Sequence, residues 1–169
     1  MQCLLERRSI RKYLPQQIKE EELDAVLKAA TYAPTAKGTQ SPLIVAVRDA
    51  EDIAVMRKLN AQINGTDNDP FYGAPCVVVV FAEKGNINGV QDASLVLGNM
   101  MNAAYAEGLG SCWINRARQT FDLPEGKALM EKWGIGDGWE GVGNCILGYA
   151  DCELPVPKER KPGYIVKIG

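Results

Sequence analysis

The sequence predicts a single domain of helices and strands built on one sheet. Three observations carry this. Stretches of helical periodicity alternate with short runs rich in β-branched residues, the pattern of a layered domain holding both element types. The length of 169 residues corresponds to one domain at about 150 residues each. Residues 76–81, with Val77, Val78, Val79 and Val80 in succession, are apolar without alternation, as in a strand covered on both faces. A chain of this size can bury about 70% of its unfolded surface, so it needs no disulfide or metal to hold it.

The elements follow in order. Within residues 18–30, Leu23, Val26, Leu27 and Ala30 recur at i, i+3, i+4 and i+7, which predicts an amphipathic helix. Glu20, Glu21 and Glu22 stand in its first turn, where negative charge complements the helix dipole. Residues 33–39 hold Pro34, Thr35 and Gly38 and predict a loop. Residues 43–47 predict a short strand. Asp49 followed by Asp52 resembles a capping box, opening a helix with Ile53, Met56 and Ile63 on its inner face. Residues 76–81 are the clearest strand. Residues 93–108 are apolar nearly all round, so that helix is central or lies in an interface. Asp92, Asn99 and Asn102 share one stripe of it, either an exposed edge or a buried polar contact to a ligand. A helix over 124–133 and strands over 144–149 and 164–168 complete the reading. No repeat, linker or low-complexity segment interrupts it, so residues 1–169 form one domain.

Composition narrows the function. Hydrophobic residues are 46% and charged residues 24% of the chain, with a net charge of −2. That balance fits a soluble globular protein, and any nucleic-acid role would need a local basic patch. The chain has no histidine, which excludes His-based triads, His metal sites and His proton shuttles. Cys3, Cys76, Cys112, Cys145 and Cys152 form no Cys-x-x-Cys pair, so no zinc ribbon or ferredoxin-type cluster is written here. An odd number of scattered cysteines suits a reducing cytoplasm. The N-terminus breaks into charge too early for a signal peptide, and no apolar run reaches the ~18 residues of a membrane span.

Four local features could carry chemistry. Arg7, Arg8, Arg11 and Lys12 place four positive charges in six residues. In an extended segment Arg7, Ser9 and Arg11 share a face. Two guanidinium forks and a hydroxyl there form either a phosphate clamp or a solvated basic arm. Lys158, Arg160 and Lys161 make a second cluster; the two together hold seven of the nineteen basic residues. A fold that brought both to one place would concentrate charge around a single anion. The loop from Pro34 to Gln40 offers small residues for close approach and hydrogen bonds from Thr35, Thr39 and Gln40. It suits the edge of a planar polar ring, or simply connects a helix to a strand. Gly136, Gly138 and Gly141 satisfy G-x-G-x-x-G, but between a helix and a strand, the reverse of the dinucleotide-binding context. Cys112 reads as a small packed residue, having no base beside it. Phe71, Tyr72 and Trp113 are either pocket walls or core.

These pieces stand in a recognisable order. Arg7-Arg8-Ser9-Ile10-Arg11-Lys12-Tyr13 resembles the N-terminal R-x-S-x-R/K-x-F/Y motif of the flavin-dependent nitroreductase family. The segment from Ala33 to Gln40 resembles its A-P-S-A-x-N-x-Q loop, and that from Gly108 to Ile114 its G-L-G-S-C-W-I segment. Leu147-Gly148-Tyr149 followed by Lys158-Glu159-Arg160 resembles its closing L-G-Y and K-x-R. The sequence departs from the pattern at Gly38, where Asn is frequent, at Ser41, inserted before Pro42, and at Leu43, where an aromatic is usual. The chain is also short, which leaves little to cover a cofactor and implies an open pocket.

The resemblance implies an α+β fold with a mixed, mostly antiparallel central sheet flanked by helices, in an entwined homodimer with one FMN at each end of the interface. Carried over, it implies that Arg7, Ser9 and Arg11 hold the FMN phosphate, with Arg8 offering backbone contacts and Lys158 and Arg160 reaching the same group. Pro34, Thr35 and Ala36 would touch the flavin from the other subunit, with Gln40 in the same loop. Ile114, Asn115 and Arg116 would bring backbone N–H groups near the ring, and Asn60 would contact the ring's polar edge. The implied activity is reduction of nitroaromatic, quinone or similar small-molecule acceptors by NAD(P)H, in ping-pong fashion, with no side chain needed as acid or base. Another flavin chemistry, such as dehalogenation or dehydrogenation, and a flavin-binding or redox-sensing role without turnover are the alternatives. The acidic balance weighs against a nucleic-acid binder, and no membrane partner is expected.

Overall fold

Strand β2 (Cys76–Glu83) is the centre of the protein, and its side chains from Cys76 to Ala82 are all buried. The computed structural model describes residues 1–169. Four strands lie in the order β1-β2-β4-β3, where β1 is Leu43–Val47, β3 Gly110–Ile114 and β4 Trp139–Gly148. Every pairing is antiparallel. The only parallel contact is an isolated bridge between Ser9 and Ser111. The α+β class is therefore observed, with a sheet antiparallel throughout.

Period-two alternation along β2 sends its valines to two different cores. Cys76, Val78, Val80 and Ala82 pack with α2 (Glu20–Ala30) and α4 (Gly89–Ala106). Val77, Val79 and Phe81 pack with α3 (Ala50–Asn64), α5 (Ala117–Asp122) and α6 (Pro124–Lys132). Continuous apolarity thus reflects helices on both faces of the sheet, and each buried valine contributes roughly 1.5–3 kcal/mol. The register slips between Val80 and Phe81, whose partners are Gly143 and Gly141, so Val142 forms a bulge.

Most elements lie where the sequence puts them, and the differences have physical causes. Asp49 caps α3, its Oδ1 accepting from the Asp52 N–H at 2.9 Å. The box does not close, because the Asp52 carboxylate turns inward to Lys132 Nζ at 2.5 Å and Trp133 Nε1 at 2.8 Å. The Gly136–Gly141 segment turns into β4 and opens no helix. The strand expected over 164–168 does not form; Tyr164, Ile165, Val166 and Ile168 are exposed and find no sheet partner. A β-propensity run becomes a strand only when it pairs with a neighbour, and this segment pairs with none of the four strands. Three elements escape the pattern reading: α1 (Gln2–Glu6) and α5, each too short to display a helical period, and β3, whose Gly110, Ser111 and Cys112 carry little β-propensity.

Candidate functional site

The N-terminal segment after α1 is laid against the sheet edge by backbone and by close packing. Ile10 N–H donates to the Ser111 carbonyl at 3.0 Å, and Tyr13 bridges to Ala150. Ile10 and Tyr13 are buried. Ile10 fits only because Gly110 has no side chain: a Cβ there would come within 3.1 Å of the Ile10 Cβ. Likewise a Cβ at Gly148 would reach 2.9 Å from the Tyr13 ring. With Ile10 and Tyr13 turned into the core, Arg7, Ser9 and Arg11 line a cavity of about 470 Å³, together with Arg8.

The far wall of that cavity is the C-terminal segment, including Lys158, Arg160 and Lys161. The two basic clusters, 147 residues apart at Arg11 and Lys158, therefore face one space. Arg160 is folded back on its own chain, Nε and Nη2 donating to the Lys158 carbonyl at 3.1 and 2.6 Å. Arg8 Nη1 is occupied by the Leu5 and Arg7 carbonyls at 2.8 and 2.7 Å. Arg7 Nη1 and Arg8 Nε are buried with no hydrogen-bond partner. Buried guanidinium donors left unpaired are costly, and the cavity these arginines line is strongly cationic, with Glu159 its one carboxylate.

Arg11 also lines a second cavity, of about 660 Å³. Its walls are Cys112, Trp113, Ile114 and Asn115 from the end of β3, Asn64 at the end of α3, and Thr66, Asn68 and Tyr72 from the loop that follows. Phe71, in contrast, is core. Tyr72 presents its ring from a left-handed backbone at φ 55°. Asp69 secures that turn, its carboxylate accepting from the Phe71 N–H at 2.8 Å and the Gly73 N–H at 2.7 Å. Cys112 lines this space but is almost wholly buried. Burial pushes the Cys76 thiol up to about 12 and raises that of Cys145 further, so these two cysteines pack as neutral side chains.

Asn60 does not line the cavity. It is fully buried beneath it, and its Nδ2 donates to the Asn115 carbonyl at 2.8 Å. Arg116, at φ 76°, donates from Nε to Asn64 Oδ1 at 3.1 Å. Pro34, Thr35, Ala36 and Gln40 line neither cavity. Their loop is tied to the first turn of α4, where Asp92 accepts from the Ala36 N–H, and Thr35 Oγ1 accepts from the Gln40 N–H at 2.9 Å. Within the polar stripe of α4, Asp92 is thus buried against the protein's own backbone, while the half-buried Asn99 donates from Nδ2 to the Ala29 carbonyl at 3.4 Å. The sequence reading missed the wall from Asn64 to Asp69; its cluster of Asn, Gly, Thr and Asp is a turn signal that could have drawn attention to it.

Comparison with known proteins agrees with this architecture. A relative from Archaeoglobus fulgidus, whose name couples NADH dehydrogenase with NAD(P)H nitroreductase, is 29% identical over 167 residues, covering 97% of this chain and 88% of its own. The structure of a Bacteroides fragilis nitroreductase with bound FMN superposes with a TM-score of 0.88 at 27% identity, over 99% of this chain and 97% of that one. A Desulfitobacterium hafniense nitroreductase with bound FMN shares the fold, with a TM-score of 0.89 at 21% identity and the same coverage. The Nitroreductase family model matches residues 4–149. With the paired-core sheet, the basic cavity and this match together, the chain belongs to the Nitroreductase family.

Proposed function

We propose that this protein is an FMN-dependent oxidoreductase that takes electrons from NAD(P)H and passes them to a small nitroaromatic, quinone or similar acceptor. The observation that carries the reading is Arg11, which lines both the cationic cavity and the one walled by residues 112–115. One ligand with an anion at one end and a flat polar ring at the other suits that pair of spaces. Arg7, Ser9, Arg11, Lys158 and Arg160 would hold the phosphate, and the unpaired donors of Arg7 and Arg8 support this. Ile114, Asn115 and Arg116 would meet the ring. When bound, FMN supplies hydride acceptance and electron transfer, and the protein supplies binding, orientation and electrostatics.

The chain's own part is to position and to stabilise charge. Neither the Asn115 nor the Arg116 N–H has an intramolecular partner, so both are free to face charge developing on a ring. Arg11 places positive charge between the two cavities. Donor and acceptor would share the open second cavity in turn, as in ping-pong kinetics. Its breadth suits several acceptors.

The loop from Pro34 to Gln40 would serve a cofactor held by a second copy of the chain. A homodimer is supported by the apolar residues left outside: Val90 and Leu95 on α4, and Leu154, Val156, Tyr164, Ile165, Val166 and Ile168 in the C-terminal segment. No helix is long and apolar enough to cross a membrane. With five free cysteines, a reducing cytoplasm fits the chain.

The test is the absorbance spectrum of the purified protein, followed by anaerobic NADH or NADPH. Flavin bands that bleach, and return on adding menadione, are expected. Absence of flavin binding after incubation with FMN would overturn the reading; bands that resist both nucleotides would remove the NAD(P)H step.

A further inference from the structure

Three side chains and one peptide group form a closed ring of hydrogen bonds under the second cavity. Asn60 Nδ2 donates to the Asn115 carbonyl at 2.8 Å, and Asn64 Nδ2 donates to Asn60 Oδ1 at 2.9 Å. Arg116 Nε donates to Asn64 Oδ1 at 3.1 Å. Asn115 and Arg116 are joined by the peptide bond whose carbonyl starts the ring. Behind it, Asn144 Nδ2 donates to the Ile114 carbonyl at 3.2 Å. Asn60 and Asn144 are buried, whereas Asn64 and Arg116 are exposed.

The ring has a directional consequence. In a planar trans peptide the C=O and N–H point in opposite directions. Asn60 draws the Asn115 carbonyl toward α3, so the Arg116 N–H points away from α3. Asn144 draws the Ile114 carbonyl toward β4, so the Asn115 N–H points away from β4. These are the two N–H groups without intramolecular partners. Arg116 meanwhile holds φ at 76°, a left-handed conformation that disfavours a side chain. A position under that strain persists only where its surroundings determine it, and the guanidinium bond to Asn64 is part of that determination.

We infer that Asn64 and Arg116 are positioning residues: through Asn60 they hold the 115–116 peptide so that its flanking N–H groups stay aimed at the ring of the bound cofactor. This deepens the flavin reading above and rests on it. The inference concerns the ring end of the ligand alone, since neither residue lines the basic cavity. That separates it from anything acting on the phosphate.

The test compares the affinity of the full chain for FMN and for riboflavin, which has the same ring and no phosphate, by titrating flavin fluorescence. Asn64→Ala and Arg116→Ala are exposed changes that leave the core intact. Each is expected to weaken FMN and riboflavin by the same factor, about tenfold for a lost hydrogen bond in this setting. Arg116→Lys, which restores a donor, should recover part of it. Arg118→Ala, two residues along the chain and paired with Glu140, should change neither. Unchanged affinity for both flavins, or a loss confined to FMN, would overturn the positioning role while leaving the proposed function standing. Failure of the wild-type chain to bind either flavin would overturn both.

Discussion

The carboxylate of Asp92 straddles the backbone N–H of Ala36, its two oxygens 3.0 and 3.1 Å from the nitrogen. These residues are 56 positions apart, and the contact fixes the loop from Pro34 to Gln40 to the first turn of α4. Nothing else so strong holds that loop, which contains left-handed residues at Lys37 and Gln40. Asp92→Ala is expected to cost about 1.5–3 kcal/mol, the worth of a charge-assisted hydrogen bond. Hydrogen exchange should accelerate at the amides of residues 35–40 while that of β2 stays protected. Uniform acceleration across the chain would show that the contact supports the whole fold and not the loop.

The cationic cavity predicts an effect selective for phosphate. Arg11→Ala and Arg160→Ala each remove one guanidinium from it. FMN affinity should fall roughly 10–100-fold, the equivalent of 1.5–3 kcal/mol, with riboflavin affinity unchanged for Arg160→Ala and reduced by a smaller factor than FMN for Arg11→Ala, since Arg11 also lines the second cavity. Isothermal titration with both flavins reads the difference. Equal losses for the two would place these arginines at the ring and remove the phosphate assignment.

Asp52 predicts an acid dependence. Its bonds from Lys132 and Trp133 hold its carboxyl below the ordinary value of 3.8. A depressed folded pKa adds stability that is complete above the unfolded value and is lost as pH falls through the folded one. Asp52→Asn should therefore be less stable than wild type at pH 7. The gap in unfolding free energy should narrow only below about pH 4, the unfolded range of an aspartate. Urea unfolding of both chains across that range is the measurement. A gap constant down to pH 2 would mean the carboxylate charge contributes nothing.

Gly126 predicts a steric limit. A Cβ at this position would stand 1.9 Å from the Thr120 carbonyl oxygen and 2.8 Å from its carbon. Both are backbone atoms, so neither can swing aside. Gly126→Ala should cost about 3 kcal/mol, or roughly 6–12 °C in Tm. A loss under 1 °C would mean that α5 and α6 separate easily.

How far the sequence could be read depended on the range of the forces involved. The core faces of α2 and of β2 were legible because burial imposes a period on neighbouring residues. So was the shared face of Arg7, Ser9 and Arg11, because they alternate with Ile10 in a segment that buries Ile10. The role of Asn60 was not legible as such. An asparagine's partner is chosen by direction across space, and its position in the sequence says only that it is polar. The 164–168 segment had the composition of a strand but pairs with none of the four strands, and pairing is a long-range choice that composition cannot supply.

The sequence by itself determined the class of the domain, its two-sided sheet and the two basic clusters, since each follows from local periodicity or charge. Only the tertiary structure decided that Arg11 and Arg160 face one cavity. Only it decided, too, that Asp92 grips Ala36 and that Asn60, Asn64 and Arg116 close a ring on one peptide. Those relationships join residues between 4 and 149 positions apart. Hydrogen bonds and ion pairs act over a few ångströms and require a fixed direction, so most of these partners exist for one another only after the hydrophobic cores have brought their elements together.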